Sequence, residues 1–271
     1  MQKPETASNM ELREEVKRLE EQIDAIAEIK ECLIPQDPPE IAGVEFATSH
    51  RSQGKVGGDF FDFLPLDRDE EGKPLTSGRW AVVIADATGH GPSSAFIMVM
   101  LQSILHAFSG SVDEPTAILH YANDHMCSKV HHGLFVTATI AIIDPARSEL
   151  SYSCAGHAPP LIRTADGSVV ECEAAGGLPL GVMPDQSYEG VVRPLNPGET
   201  YIFYTDGLLD SLGEDGERFG LERTKDAVEA AEVNATSRSM LSSLKRAVRA
   251  HRLQVEQTDD ETVVICRILP T

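Results

Sequence analysis

The order in which apolar patterns follow one another constrains this chain most. Runs at residues 44–49, 60–66 and 80–85 have strand character, and the acidic stretch 67–78, with its glycines and proline, joins the last two as a loop. Two helical patterns come next. One is entered through Gly91-Pro92-Ser93, where proline costs little at a helix start, and the other follows Asp113-Glu114-Pro115. Strands are then predicted at 134–143, 150–154, 160–163 and 169–172, the last pair turning at Asp166-Gly167, with a further short apolar run at 200–204. Helices at 222–232 and 238–251 precede a closing strand at 262–268. Hairpin-connected strands punctuated by helix pairs exclude a repeated βαβ unit. They predict a layered α/β (α+β) fold with antiparallel sheets.

Ahead of the strands, residues 10–33 read as one helix. Leu12, Val16, Leu19, Ile23, Ile26 and Leu33 recur at spacings of four and three, with Lys30 interrupting the seam, and Glu14 and Arg18 form an i,i+4 pair on the solvated face. Pro35, Pro38 and Pro39 stop the helix and mark a linker. Residues 1–40 are therefore expected to be an N-terminal helix and linker, and 41–271 one catalytic domain. A chain of 271 residues with 41% hydrophobic content can bury one substantial core. The narrow, interrupted seam predicts a weak homodimer through residues 10–33.

A net charge of −20 argues against nucleic acid and anionic membrane surfaces as partners, since either would repel the chain. Five widely spaced cysteines with no CxxC pair give no sign of zinc or a disulfide framework and predict a reducing, cytoplasmic setting. The most apolar stretch, 95–108, is too short to span a bilayer and is interrupted by Gln102, Ser103 and His106, so it reads as a buried helix.

Aspartates at strand ends bring in the chemistry. Asp86 follows Val82-Val83-Ile84-Ala85 and Asp206 follows Tyr201-Ile202-Phe203-Tyr204-Thr205, both at C-terminal ends. Asp59 precedes Phe60-Phe61-Asp62-Phe63, and Asp259 stands just before the closing strand, both at N-terminal ends. In antiparallel sheets a strand start lies beside its neighbour's end, so these four carboxylates can meet at one edge. Together they cannot stay ionised without compensation, and all-oxygen ligation selects magnesium or manganese over zinc. Two such ions about 4 Å apart can activate a water and clamp phosphoryl oxygens. Taken singly, each aspartate beside glycine is an ordinary turn; the four together favour the metal reading.

Seven segments in order then carry a resemblance. Val56-Gly57-Gly58-Asp59-Phe60-Phe61-Asp62 and Ile84-Ala85-Asp86-Ala87-Thr88-Gly89-His90-Gly91 resemble the VGGDxxD and DxxGHG motifs of the SpoIIE/RsbU branch of PPM (protein phosphatase 2C-like) Ser/Thr phosphatases. Phe135-Val136-Thr137, Ala155-Gly156-His157-Ala158-Pro159-Pro160, Leu178-Pro179-Leu180-Gly181, Tyr204-Thr205-Asp206-Gly207 and Asp259-Asp260-Glu261-Thr262 complete the series, which covers roughly residues 41 to 269.

The resemblance implies an αββα four-layer sandwich of two mainly antiparallel sheets and a centre of two Mn2+ or Mg2+ ions. By position, Asp86 would bridge both ions with the Ala87 carbonyl as a further ligand. Asp59 would bind one metal, Asp206 and Asp259 the other, and water would attack phosphorus. Asp260 is not expected to be a ligand, because the motif places the metal-binding carboxylate first. Asp62 is expected to support Asp59, and Cys154 to pack within a strand. His90 and His157 are expected to order their glycine-rich turns, with general-acid chemistry as the alternative. Arg51 and Lys55 lie where animal and plant members of the wider family hold phosphate with an arginine, and are expected to be solvated here.

The resemblance implies a Ser/Thr phosphoprotein phosphatase whose substrate is a phosphorylated STAS-domain anti-anti-sigma regulator. An inert binding module on the same scaffold is the alternative, against which the four retained aspartates count. A two-metal hydrolase of nucleotides or pyrophosphate ranks last, since no Walker loop or basic nucleotide clamp is present.

Overall fold

The computed structural model describes residues 7–89, 91–108, 114–130, 133–232 and 234–270. One sheet runs in the order β2-β3-β4-β5-β8, from β2 (Asp59–Pro65), β3 (Trp80–Ala87), β4 (Val136–Asp144), β5 (Glu149–Ala155) and the two-residue β8 (Gly176–Gly177). β9 (Val191–Pro194) also pairs with β5. The other runs β1-β11-β10-β6-β7, from β1 (Val44–Arg51), β11 (Glu261–Ile268), β10 (Thr200–Tyr204), β6 (Leu161–Arg163) and β7 (Val169–Glu171). The ladders are antiparallel apart from the short β5–β8 pairing.

The period of two along each strand decides the layering. In β3, Ala81, Val83 and Ala85 pack with Met98, Leu101 and Ile118 of α2 (Pro92–His106) and α3 (Pro115–Cys127). The intervening Val82 and Ile84 pack against Tyr201, Phe203, Val264 and Cys266 of the opposite sheet. β11 repeats the device. Val264 and Cys266 face inward, while Val263 and Ile265 pack under Val228, Met240 and Leu244 of α5 (Gly220–Glu229) and α6 (Ser237–Arg252). Strands apolar on both faces must be covered on both faces, and the result is the predicted helix–sheet–sheet–helix sandwich.

Three elements are absent from the sequence pattern: β8, β9 and the single turn α4 (Asp206–Leu209). Each is too short for a periodicity to register. The N-terminal helix α1 (Ala7–Leu33) is as expected in extent, but Lys30 is not where the seam would place it. Read from the sequence as an interruption of an apolar stripe, Lys30 is 5% exposed and turned into the domain, while Met10, Leu12, Val16, Leu19 and Ile26 are exposed. The C-terminal part of α1 is held against the domain by Gln102 Nε2, which donates to the Leu33 carbonyl at 2.8 Å, and by an ion pair between Asp24 and Lys55 at 2.7 Å. Beyond α1, Ile34 and Ile41 are buried in the core between the sheets, so the linker ends are packed. All five cysteines are unpaired. Among the described residues, no helix is long and apolar enough to cross a membrane.

Candidate metal centre

The β2–β3 register sets Asp59 directly opposite Asp86 at the end of the ladder. In the second sheet the β10–β11 ladder ends at Tyr204 opposite Val263, and Asp206 and Asp259 extend past that end. Each sheet thus brings two aspartates to the same edge of the sandwich.

Their electrostatics record the crowding. Burial, then Asp206, Asp259 and Asp260, push Asp86 up to about 7. Burial and Asp86 raise Asp59 well above the usual carboxylate range, against two hydroxyl hydrogen bonds. Burial also raises Asp206, with Asp210 adding, and Asp259, with Asp206 and Asp260 adding. These shifts share one cause: negative charge gathered out of water without enough positive charge beside it.

The most buried carboxylate, Asp59, is oriented by protein donors. The Thr205 and Thr262 hydroxyls each donate to its Oδ2 at 2.6 Å. Because Thr262 donates to Asp59, it accepts from His50 Nδ1 at 2.8 Å, and the Ser52 hydroxyl then donates to His50 Nε2 at 3.3 Å. Burial, then the charge of Lys30, holds His50 down to about 4, so the ring is neutral and a fixed link in this chain.

Asp260 has a different task. Its Oδ1 accepts the Gln53 backbone N–H at 2.5 Å and its Oδ2 the Asp59 N–H at 3.0 Å. It is 5% exposed, whereas Asp259 is on the surface and accepts the Asp260 N–H at 2.8 Å. Asp260 therefore pins the loop before β2. Two glycines make that loop possible. A side chain on Gly57 would place Cβ 1.9 Å from Asp260 Oδ2, and one on Gly58 would place it 2.7 Å from the Ala87 carbonyl oxygen and 3.3 Å from Asp86 Oδ1.

The donor set fits hard divalent cations. Its atoms are carboxylate oxygens plus the Ala87 carbonyl, beside a cradle that a Cβ at Gly58 would fill, and its carboxylates have too little positive charge beside them. Among the described residues no three acidic, histidine or cysteine side chains close into a finished cage. Asp59 and Asp260 are instead turned to protein donors.

His157 Nε2 donates to the Tyr204 carbonyl at 3.0 Å, so its Nδ1 accepts from the Thr137 hydroxyl at 2.9 Å, and burial holds it down to about 4. Its ring ties the strand before Asp206 to the residue paired with Asp86. Asp62 does not support Asp59. Three positions along a strand put the two on opposite faces, and Asp62 binds His106 Nε2 at 2.8 Å and Gln102 Nε2 at 3.3 Å on α2. Cys154 is buried in β5 and accepts the Thr139 hydroxyl at 3.2 Å. Arg51 is exposed and lines a cleft of about 550 Å3 beside α6. Lys55, expected to be solvated, is exposed but tied to Asp24 of α1. His90 lies outside the described residues. The sequence pointed to neither Lys30, His50, Thr205 nor Thr262, since hydroxyls beside a motif aspartate and a histidine 212 positions from its partner leave no local signal.

A four-layer αββα sandwich with an acidic edge between its sheets is the architecture of protein phosphatase 2C-like domains. The sequence profile of the Stage II sporulation protein E (SpoIIE) family matches residues 76–269, and the chain belongs to that family. It is 21% identical over 198 residues to the phosphoserine phosphatase RsbU of Bacillus subtilis, covering 73% of this chain and 56% of RsbU. The SiaA-PP2C domain of Pseudomonas aeruginosa superposes with a TM-score of 0.77 at 22% identity, covering 93% of this chain and 96% of that one. RsbX in complex with magnesium superposes with a TM-score of 0.60 at 15% identity, covering 85% and 98%. The chain spans about half the length of the curated relatives it matches.

Proposed function

We propose that this protein is a metal-dependent phosphatase of phosphoserine or phosphothreonine on a protein, with Asp59, Asp86, Asp206, Asp259 and the Ala87 carbonyl as its metal ligands. The observation that supports this most is the opposition of Asp59 and Asp86 at the ladder end beside Asp206 and Asp259. Two manganese or magnesium ions held there would supply Lewis acidity and an activated water for phosphomonoester hydrolysis. The chain's own residues prepare the site. Thr205 and Thr262 hold Asp59 in one orientation and favour its ionised form, Asp260 fixes the loop that presents it, and His157 joins the two sheets behind Asp86 and Asp206. Asp86 lies opposite Asp59 and feels the charges of Asp206 and Asp259, which supports a role for it in both halves of the centre.

The substrate in this reading is a phosphorylated STAS-domain regulator of a sigma-factor partner-switching pathway in the cytoplasm. The relation to RsbU, named a phosphoserine phosphatase, supports it. The test is phosphate release from phosphorylated STAS proteins with manganese and with chelator. Release is expected only with metal and without a phosphorylated side chain on the enzyme; turnover in chelator, or an acid-stable phosphoenzyme by mass spectrometry, refutes the mechanism.

Residues 1–40 form the appended helix and linker in this reading, and 41–271 the catalytic domain. The exposed apolar residues Met10, Leu12, Val16, Leu19 and Ile26 support a weak homodimer through residues 10–33. Removing residues 1–34 is expected to abolish it and to change the phosphatase rate. Unchanged mass in solution and unchanged rate refute both.

A further inference from the structure

A lysine enters the acidic edge from outside the catalytic domain. Lys30 stands three residues before the end of α1, is 5% exposed, and donates from Nζ to the Gly57 carbonyl at 2.7 Å. Gly57 leads directly into the carboxylate cluster: a side chain there would collide with Asp260, which accepts the Gln53 and Asp59 N–H groups. The groups whose charge acts on Lys30 are Asp260, Asp59, Asp86 and Glu31. Burying an ammonium group costs several kcal/mol unless it is hydrogen-bonded and paired. Burial holds Lys30 below the usual lysine range, and Asp260, Asp59 and Asp86 oppose that fall, while its one hydrogen bond goes to a backbone carbonyl. Lys30 is in turn among the opposite charges that oppose the rise of Asp86.

We propose that Lys30 is an internal counter-ion, inserted by α1 into the carboxylate cluster, that competes with divalent metal for the same negative charge. The inference rests on the metal-centre reading above and deepens it. An ammonium and a metal ion near the same carboxylates repel one another, so each lowers the affinity of the site for the other. Lys30 is a positioning residue in this scheme, touching a backbone carbonyl and acting on the ligands through space. Its place on α1 means that whatever lifts that helix removes a positive charge from the site. The exposed contact between Asp24 and Lys55 holds the same helix but places no charge among the ligands.

Manganese titration calorimetry on the full chain, with thermal melts in chelator and in saturating manganese, tests this. Lys30→Gln keeps a donor for the Gly57 carbonyl and removes the charge; Lys30→Met removes both. Both variants are expected to bind manganese about tenfold more tightly than wild type, as loss of one nearby like charge implies. Their melting temperatures are expected to fall in chelator and to recover in manganese, widening the metal-induced rise. Lys55→Ala removes an exposed cation while leaving Lys30 in place, and is expected to leave manganese affinity unchanged. Equal or weaker manganese binding by Lys30→Gln overturns the proposal, even if Lys30→Met fails to fold. Equal loss of stability with and without metal likewise assigns Lys30 to packing alone. Failure of wild type to bind manganese at all overturns the metal-centre reading itself, and that outcome is distinct from the others.

Discussion

Replacing Asp86 with asparagine should stabilise the metal-free protein while abolishing its metal-dependent gain. Asp86 carries a folded value of about 7 against 3.8 in the unfolded chain, raised by burial and then by Asp206, Asp259 and Asp260. A raised carboxylate favours the fold while neutral: that contribution is complete below the unfolded value and is lost as pH rises towards about 7. The gap of about 3 pH units, at about 1.4 kcal/mol each, amounts to roughly 4 kcal/mol above pH 7. The charge of Asp86 also raises Asp59, so the two titrations are coupled and the effect is spread, and a difference of about 2–4 kcal/mol is expected. Asparagine has the same shape and no charge to desolvate. Urea unfolding in chelator at pH 4, 6 and 8 should therefore show Asp86→Asn gaining on wild type as pH rises, with the gap complete by pH 8. Manganese should close most of the gap, because wild type gains about 2.7 kcal/mol at a hundredfold excess over its dissociation constant and the variant gains far less. A metal-free wild type as stable as Asp86→Asn at pH 8, or a gap that narrows with rising pH, would refute the account of stored repulsion.

Asp206→Asn should lower phosphatase turnover by about 10² or more, since it takes charge from the metal clamp, as measured by phosphate release in manganese. Gly58→Ala should weaken manganese binding by about tenfold, because its Cβ would stand 2.7 Å from a backbone carbonyl that has little freedom to yield; calorimetry with undiminished affinity would contradict this. Asp260→Ala leaves the Gln53 and Asp59 N–H groups without their acceptor. It should cost about 2–4 kcal/mol in urea melts run with manganese, where the carboxylate repulsion is compensated.

The sequence by itself determined the layering and the edge. Residues 80–87 and 261–268 are apolar on both faces, and such strands are stable only between two covering layers, so Val82 and Val264 had to meet across the sheets while Val83 and Val263 met helices. Aspartates at alternate strand ends then had to gather wherever antiparallel neighbours end together, as Asp59 and Asp86 do. Local chemistry of that kind is legible because it depends on period and position alone. The tertiary structure decided which polar groups reach the edge from a distance. His50 meets Thr262 across 212 positions, Asp260 turns inward while its neighbour Asp259 stays at the surface, and Asp62 turns away to α2. Lys30 is the clearest case. On a helical pattern it is a flaw in a seam, and only the docking of α1 beside Gly57 makes it a buried cation among aspartates. Contacts of this sort are set by how separate elements pack, and side-chain spacing along one element carries no record of what the next will present to it.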